Sequence, residues 1–128
     1  MCTVAALNGH AFAAGVMLAS SHDRLVMRND RGYWCLPEVD LGLPLTPAMY
    51  AALSAHLPPA TLAWAALTGR RYSGPEAVAP GIAHEAVPED EVLTRAVAIA
   101  SELAEKDRNV LRVHKALLYG HLISVCMA

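Results

Sequence analysis

The chain has little concentrated positive charge. Its 10 Lys and Arg are interspersed among 12 Asp and Glu, and the only basic pair is Arg70-Arg71. Net charge is −2 at pH 7, which leaves no electrostatic footprint for a nucleic acid. Long apolar runs are also missing: none reaches the roughly 18 uninterrupted residues of a membrane helix, so no membrane span is expected. The three cysteines, Cys2, Cys35 and Cys126, are odd in number and show no CxxC spacing. That argues against a disulfide frame or a zinc motif and fits reduced thiols inside a cell. Met1-Cys2-Thr3 lacks the basic n-region of a secretory leader, and Cys126-Met127-Ala128 is not a Ser-Lys-Leu address. The expected compartment is cytoplasmic, with the peroxisome or mitochondrial matrix as alternatives. Internal repeats and interdomain linkers are absent.

What the chain does have is apolar content. A length of 128 residues allows one domain, and 55% hydrophobic residues exceeds what a domain of that size needs for its own core. Part of its surface is therefore expected to lie against other chains. Residues 3–7 read as a buried strand closed by Asn8-Gly9. A core strand beginning so near residue 1 suggests that further sequence normally precedes it. Residues 13–21 suit a closely packed helix, residues 23–28 alternate as a strand, and residues 33–36 form a third strand stopped by Pro37.

The second half is mostly helical. Thr46 is a plausible N-cap with Pro47 at the first helical position of residues 47–56. A helix after Pro58-Pro59 buries Leu62, Ala65 and Ala66, with Trp64 as a further candidate, and ends at Gly69. Ser73 caps one turn, and residues 82–87 read as a strand. Residues 89–105 carry Val92, Ala96, Ala100 and Ala104 at four-residue steps behind three acids. A last helix starts at Asp107, presents Val110, Leu111, His114, Leu117 and Leu118, and is expected to stop at Gly120.

Two stretches carry chemistry. A small-residue turn, Ala13-Ala14-Gly15, opens a helix, and a lone carboxylate, Glu38, follows Pro37 just outside a strand end. Main-chain N–H groups at a helix start and one nearby acid can hold an oxyanion and a base together. Either feature alone has a plainer reading, close backbone packing or a solvated turn acid. His10 and His22 lack a third ligand at metal spacing, so no metal is expected and both read as core or capping side chains. Cys35 reads as a small buried hydrophobe.

Asn8-Gly9-His10-Ala11-Phe12-Ala13-Ala14-Gly15, His22-Asp23, Leu36-Pro37-Glu38-Val39-Asp40-Leu41-Gly42-Leu43, Leu67-Thr68-Gly69 and Gly81-Ile82 resemble, in order and spacing, the enoyl-CoA hydratase/isomerase (crotonase) family. The match runs over nearly the whole chain but corresponds to the later half of a family member. The resemblance implies an α/β, crotonase-like (ClpP/crotonase) β-β-α spiral core, truncated at the N-terminus. Residues 1–88 would be a partial core, and residues 89–128 a helical oligomerisation region of the same domain. It implies a coenzyme A thioester as substrate, no other cofactor, and a homo-oligomer (trimer or hexamer) or a complete homologue as partner. The oxyanion amide of the family falls on Ala14, beside Gly15, and the first oxyanion donor of the family has no counterpart here.

Hydratases of the family use two glutamates; the first position falls on Met17 and the second on Glu38. One carboxylate suffices to move a proton from carbon 2 to carbon 4 of a 3-enoyl thioester. The resemblance thus leans toward an enoyl-CoA delta isomerase in fatty-acid metabolism, with hydratase or a noncatalytic truncated subunit as alternatives. Phe12, Met17 and Trp34 are candidates to line the acyl pocket. Lys115 and Arg70-Arg71 match no motif and receive no role.

Overall fold

The computed structural model describes residues 1–128. Strand β1 (Val4–Leu7), β2 (Ala11–Phe12), helix α1 (Ala14–Ser20), β3 (Arg24–Arg28) and β4 (Tyr33–Cys35) come first. Then follow α2 (Glu38–Leu41), α3 (Pro47–Ser54), α4 (Pro59–Thr68), β5 (Arg71–Ser73), α5 (Gly74–Val78), β6 (Glu85–Val87), α6 (Glu89–Ala104) and α7 (Arg108–Met127). The strands form two three-stranded sheets. One is wholly parallel in the order β1-β3-β6; the other runs β2-β4-β5, with β2 parallel and β5 antiparallel to β4.

Apolar periodicity decides which face of each element turns inward. The main core joins Leu25 and Met27 of β3, Val16 of α1, Trp34 and Leu36 around β4, Leu53 of α3, and Leu62 and Ala65 of α4. Each large side chain buried this way contributes about 1.5–3 kcal/mol. The other face of the parallel sheet is covered by α6, whose Val92, Ala96 and Ile99 pack on Val26. Residues 82 and 83, expected in a strand, are instead a buried approach to the shorter β6.

Local chemistry sets most boundaries as the sequence suggests. Thr46 Oγ1 accepts from the Met49 N–H at 3.2 Å, capping α3. Ser73 and Glu76 exchange capping bonds, 2.9 Å from the Ser73 N–H and 3.4 Å from the Glu76 N–H, to open α5. Gly69 ends α4 at φ +66, a conformation that glycine adopts without strain. Trp64, a candidate for burial, is instead 58% exposed on the outer face of α4.

The last helix departs most from expectation. It does not stop at Gly120 but runs to Met127, because a single glycine weakens a helix interior by only about 1 kcal/mol. Its inward face is also different: Leu111, Lys115, Tyr119 and Leu122 are half-buried, while Val110, Leu117 and Leu118 are exposed. The reason is polar. Lys115 Nζ donates to Asp23 Oδ2 at 2.7 Å and to the Met1 carbonyl at 3.0 Å, and the Tyr119 hydroxyl donates to Asp23 Oδ1 at 3.2 Å. The Thr3 N–H reaches the same carboxylate at 2.8 Å. Tyr119 also stacks on His56 of the α3 end, ring centroids 5.0 Å apart.

Asp23 thus clasps the start of β1 to α7. Burial alone would raise its carboxyl pKa, but the Lys115 ammonium, the Thr3 N–H and the Tyr119 hydroxyl outweigh burial and hold it below the ordinary value. A carboxylate with a lowered folded pKa stabilises the fold fully above its unfolded value of about 3.9 and loses that contribution as pH falls through the lowered one. Lys115→Met is expected to cost about 1 kcal/mol in urea unfolding at neutral pH. The difference from the unsubstituted chain should shrink as pH falls below about 4; a difference that does not change with pH would remove the clasp from the account.

Candidate active site

β2 and β4 lie side by side in parallel, with Ala11 opposite Trp34 and Phe12 opposite Cys35. Their carboxyl ends therefore leave the sheet at the same edge. From β2 the chain turns through Ala13 into α1; from β4 it turns through Leu36 and Pro37 into α2. The Ala13 N–H donates to the Cys35 carbonyl at 3.3 Å and ties the two exits together. α1 and α2 therefore both begin beyond the carboxyl ends of paired strands, a place where ligands commonly meet α/β sheets.

The turn into α1 is unusual. Ala13 sits at φ 51 and ψ −115, and it is the only residue other than glycine with positive φ. Its carbonyl accepts from the Val16 N–H at 2.9 Å and the Met17 N–H at 3.2 Å, which closes the first turn. Ala14 and Gly15 lead the helix, so neither N–H has a carbonyl one turn back to receive it, and both residues are exposed. Those free donors sit at the positive end of the helix.

Glu38 is the first residue of α2, a single turn in which the Asp40 and Leu41 N–H groups bond the Pro37 carbonyl at 3.0 and 3.1 Å. The sequence suggested only a turn; the structure tightens it into a helix that Gly42 closes at φ 70. Glu38 Oε2 is buried and has no hydrogen-bond partner. Trp34 Nε1, His56 Nε2 and Glu85 Oε2 share that condition, and among the four only Glu38 opens a helix just beyond β4.

The remaining candidate residues are placed as follows. Phe12 is half-buried at the end of β2, with the Arg71 guanidinium 5.4 Å from its ring centre and the His10 ring 5.3 Å away on another side. Met17 is half-buried against the main core. Trp34 is 0% exposed and meets Tyr72 edge-on at 5.9 Å, so it is a core side chain rather than an open pocket wall. His10 accepts from the Tyr33 N–H at 3.0 Å, and His22 Nδ1 lies 2.9 Å from the Leu18 carbonyl. Cys35 is buried, its thiol donates to the Gly69 carbonyl at 3.2 Å, and burial pushes its pKa up.

Three features escaped the sequence. The strained backbone at Ala13 has no signal in an alanine. Arg71 lies over Phe12, but an arginine beside another arginine reads as solvated surface. Between α3 and α4 there is an apolar cavity of about 330 Å³ lined by Leu45, Tyr50, Leu57, Leu62 and Leu67 among others. Its leucines come from α4 and from the loops on either side of α3, so no single periodicity reveals it.

Two helix starts beyond paired parallel strands, one of them carrying an unpartnered acid, place the chain in the α/β class, and comparison with known proteins identifies its family. The model of the enoyl-CoA hydratase/isomerase family matches residues 1–122. Enoyl-CoA delta isomerase 3 of Arabidopsis thaliana is 42% identical over 113 residues, covering 85% of this chain and 47% of that protein. The carnitinyl-CoA dehydratase of Proteus mirabilis is 35% identical over 101 residues, covering 79% and 38%. An enoyl-CoA hydratase structure from Mycobacterium ulcerans superposes with TM-score 0.90 at 27% identity, over 97% of this chain and 54% of that one. The chain belongs to the enoyl-CoA hydratase/isomerase family and has its crotonase fold. It spans about half the length of the relatives it matches.

Strain at Ala13 gives a direct test of this geometry. A non-glycine residue in such backbone costs about 1–3 kcal/mol, and glycine gives back about 0.5–1 in chain entropy. Ala13→Gly is expected to raise stability by about 1 kcal/mol in urea unfolding; a loss of similar size would mean that residue 13 does not hold this conformation.

Proposed function

We propose that the chain carries the acid–base half of an enoyl-CoA delta isomerase site, acting on an acyl-CoA thioester with coenzyme A as part of the substrate. The reading is supported by the buried, unpartnered Glu38 Oε2 just beyond β4, the strand that pairs with the β2 leading into Ala14 and Gly15. Glu38 removes a proton from carbon 2 of a 3-enoyl thioester. The electrons pass to the thioester oxygen, where the Ala14 N–H and the helix end take up the enolate charge. The proton returns to carbon 4 as the double bond settles between carbons 2 and 3.

Met17 separates this from hydration. Adding water across the double bond calls for a second acid–base group, and a thioether offers none. The relatives named enoyl-CoA delta isomerase support the same branch. Phe12 and Met17, half-buried near the start of α1, are proposed to touch the acyl group; Trp34 would act only by holding β4. The apolar α3–α4 cavity suits an alkyl chain.

Assembly as a trimer or hexamer is proposed from the surplus of apolar residues, of which Leu93, Val97, Leu117 and Leu118 stand exposed on α6 and α7. No helix is long and apolar enough to cross a membrane. A reducing compartment, the cytoplasm first, is proposed from three free cysteines.

Deuterium exchange at carbon 2 of a 3-enoyl-CoA reads the proposed base even where turnover is slow. Glu38→Gln is expected to slow exchange by about 100-fold or more; equal exchange in the variant contradicts the assignment. Met17→Glu is expected to add hydration of 2-enoyl-CoA, detected as 3-hydroxyacyl product, and no such gain contradicts the role given to residue 17.

A further inference from the structure

His84 stands immediately before β6, a strand of only three residues. The ladder between β3 and β6 pairs Val26 with Glu85, Met27 with Ala86 and Arg28 with Val87. One position earlier a side chain completes the pairing. The His84 N–H donates to the Leu25 carbonyl at 2.9 Å, and the Leu25 N–H donates to His84 Nδ1 at 2.9 Å. One histidine thus holds both main-chain groups of a residue that is 3% exposed and part of the main core. Nδ1 accepts only while it carries a lone pair, so this bond requires the neutral ring with its proton on Nε2.

Behind the junction lies a polar cavity of about 40 Å³, walled by Ser20, His22, Asp23, His56, Leu57 and His84 among others. His84 is the exposed residue of the lining, with Nδ1 turned inward to Leu25. Across the cavity, His56 Nδ1 donates to the Ala52 carbonyl at 3.3 Å, and His56 Nε2 is buried without a partner. Residues 79–84, which run from α5 to β6, are fastened at two places. Near their start the Thr61 hydroxyl donates to the Pro80 carbonyl at 2.7 Å, and Gly81 turns at φ +81 where an added Cβ would meet the Pro58 ring. That fastening does not titrate; the one at His84 does.

The charged surroundings oppose a second proton on His84. Burial first, then the Arg24 guanidinium of β3 and the His56 ring, hold its pKa below the ordinary histidine value, against the pull of Glu85. Glu85 is itself bound by Arg95 of α6 at 2.7 Å, and Asp23 by Lys115 of α7 at 2.7 Å. His22 Nδ1 lies 2.9 Å from the Leu18 carbonyl, and α5 brings no titratable side chain to the cavity.

We propose that His84 is an acid-sensitive latch: neutral, it joins β6 to β3, and a proton taken from water at Nδ1 turns that acceptor into a donor and breaks the bond to the Leu25 N–H. Residues 79–84 then loosen from the sheet, and water reaches His56 Nε2. Leu57 walls both this cavity and the apolar one between α3 and α4, so the latch also bears on the larger cavity. Because the folded pKa is lowered, the latch stabilises the fold fully above the unfolded value of about 6.5 and weakens as pH falls through the lowered one. None of this depends on Glu38 being a base.

The test is an NMR titration of the isotopically labelled full chain from about pH 8 to about pH 5. At the upper end the His84 ring nitrogens are expected to show the proton on Nε2, with the Leu25 amide protected. As the ring titrates, exchange of the Leu25 amide, corrected for its intrinsic rate, should quicken at least about tenfold, and the Leu57 methyl signals should move on the same curve. His84→Asn places an oxygen where Nδ1 stands and cannot titrate, so Leu25 should stay protected at both ends. His84→Phe offers no acceptor, so Leu25 should exchange fast at both; if that variant fails to fold, the asparagine variant and the ring signals still decide. A neutral ring protonated on Nδ1, a ring that does not titrate in this range, Leu25 protection unchanged through the titration, or the same pH response in His84→Asn would each overturn the proposal. The Asp23 clasp responds only below about pH 4, so the two are read separately.

Discussion

The site depends on a single main-chain bond, from the Ala13 N–H to the Cys35 carbonyl, and on the parallel pairing of β2 with β4 that makes it possible. Without that pairing, the start of α1 and the turn carrying Glu38 would be two unrelated loops. With it, an alanine held at positive φ turns the chain so sharply that the first free N–H groups of a helix stand at the sheet edge. The acid arrives at the same edge from the adjacent strand. The proposed site draws on both: the positive start of α1 and a carboxylate oxygen left without a donor.

The rest of the fold keeps that edge rigid. Trp34 and Leu36 anchor the β4 exit in the main core, and Val16 anchors α1 directly after its two free amides. α2 is short, but Gly69 lies so close beneath it that a side chain there would strike Asp40 and Val39. α6 covers the second face of the parallel sheet, and the Asp23 clasp draws α7 across to the start of β1. These contacts are spread over sequence separations of up to about the whole chain, as with Lys115 and Met1. Positioning therefore comes from the packed domain and not from the loops that display the reactive groups.

Legibility in the sequence followed chemistry that is local. Capping by Thr46 and by Ser73 with Glu76, termination at Gly69, and the period of α6 were readable because each is decided within a few residues. So was the presence of Glu38 just beyond a strand. What could not be read was decided at a distance. Lys115 and Tyr119 look like solvent-facing positions until Asp23, roughly a hundred residues away, is brought against them, and this reversed the inward face of α7. Gly120 looked like a stop, but nothing after it supplies the left-handed turn or the proline that would end the helix. Trp34 is a pocket candidate by sequence proximity to Glu38, and only the pairing of β4 with β5 shows that it is buried against Tyr72.

The central claim is that the Ala14 amide and the Glu38 carboxylate face one thioester. Titration of isotopically labelled chain with a saturated acyl-CoA, which binds without isomerising, tests it most directly by NMR. The account predicts that the Ala14 and Gly15 amide protons move downfield together with a change at the Glu38 carboxyl carbon, all following one binding curve. Perturbations confined to other residues, with Ala14 and Glu38 unmoved at saturation, would contradict it.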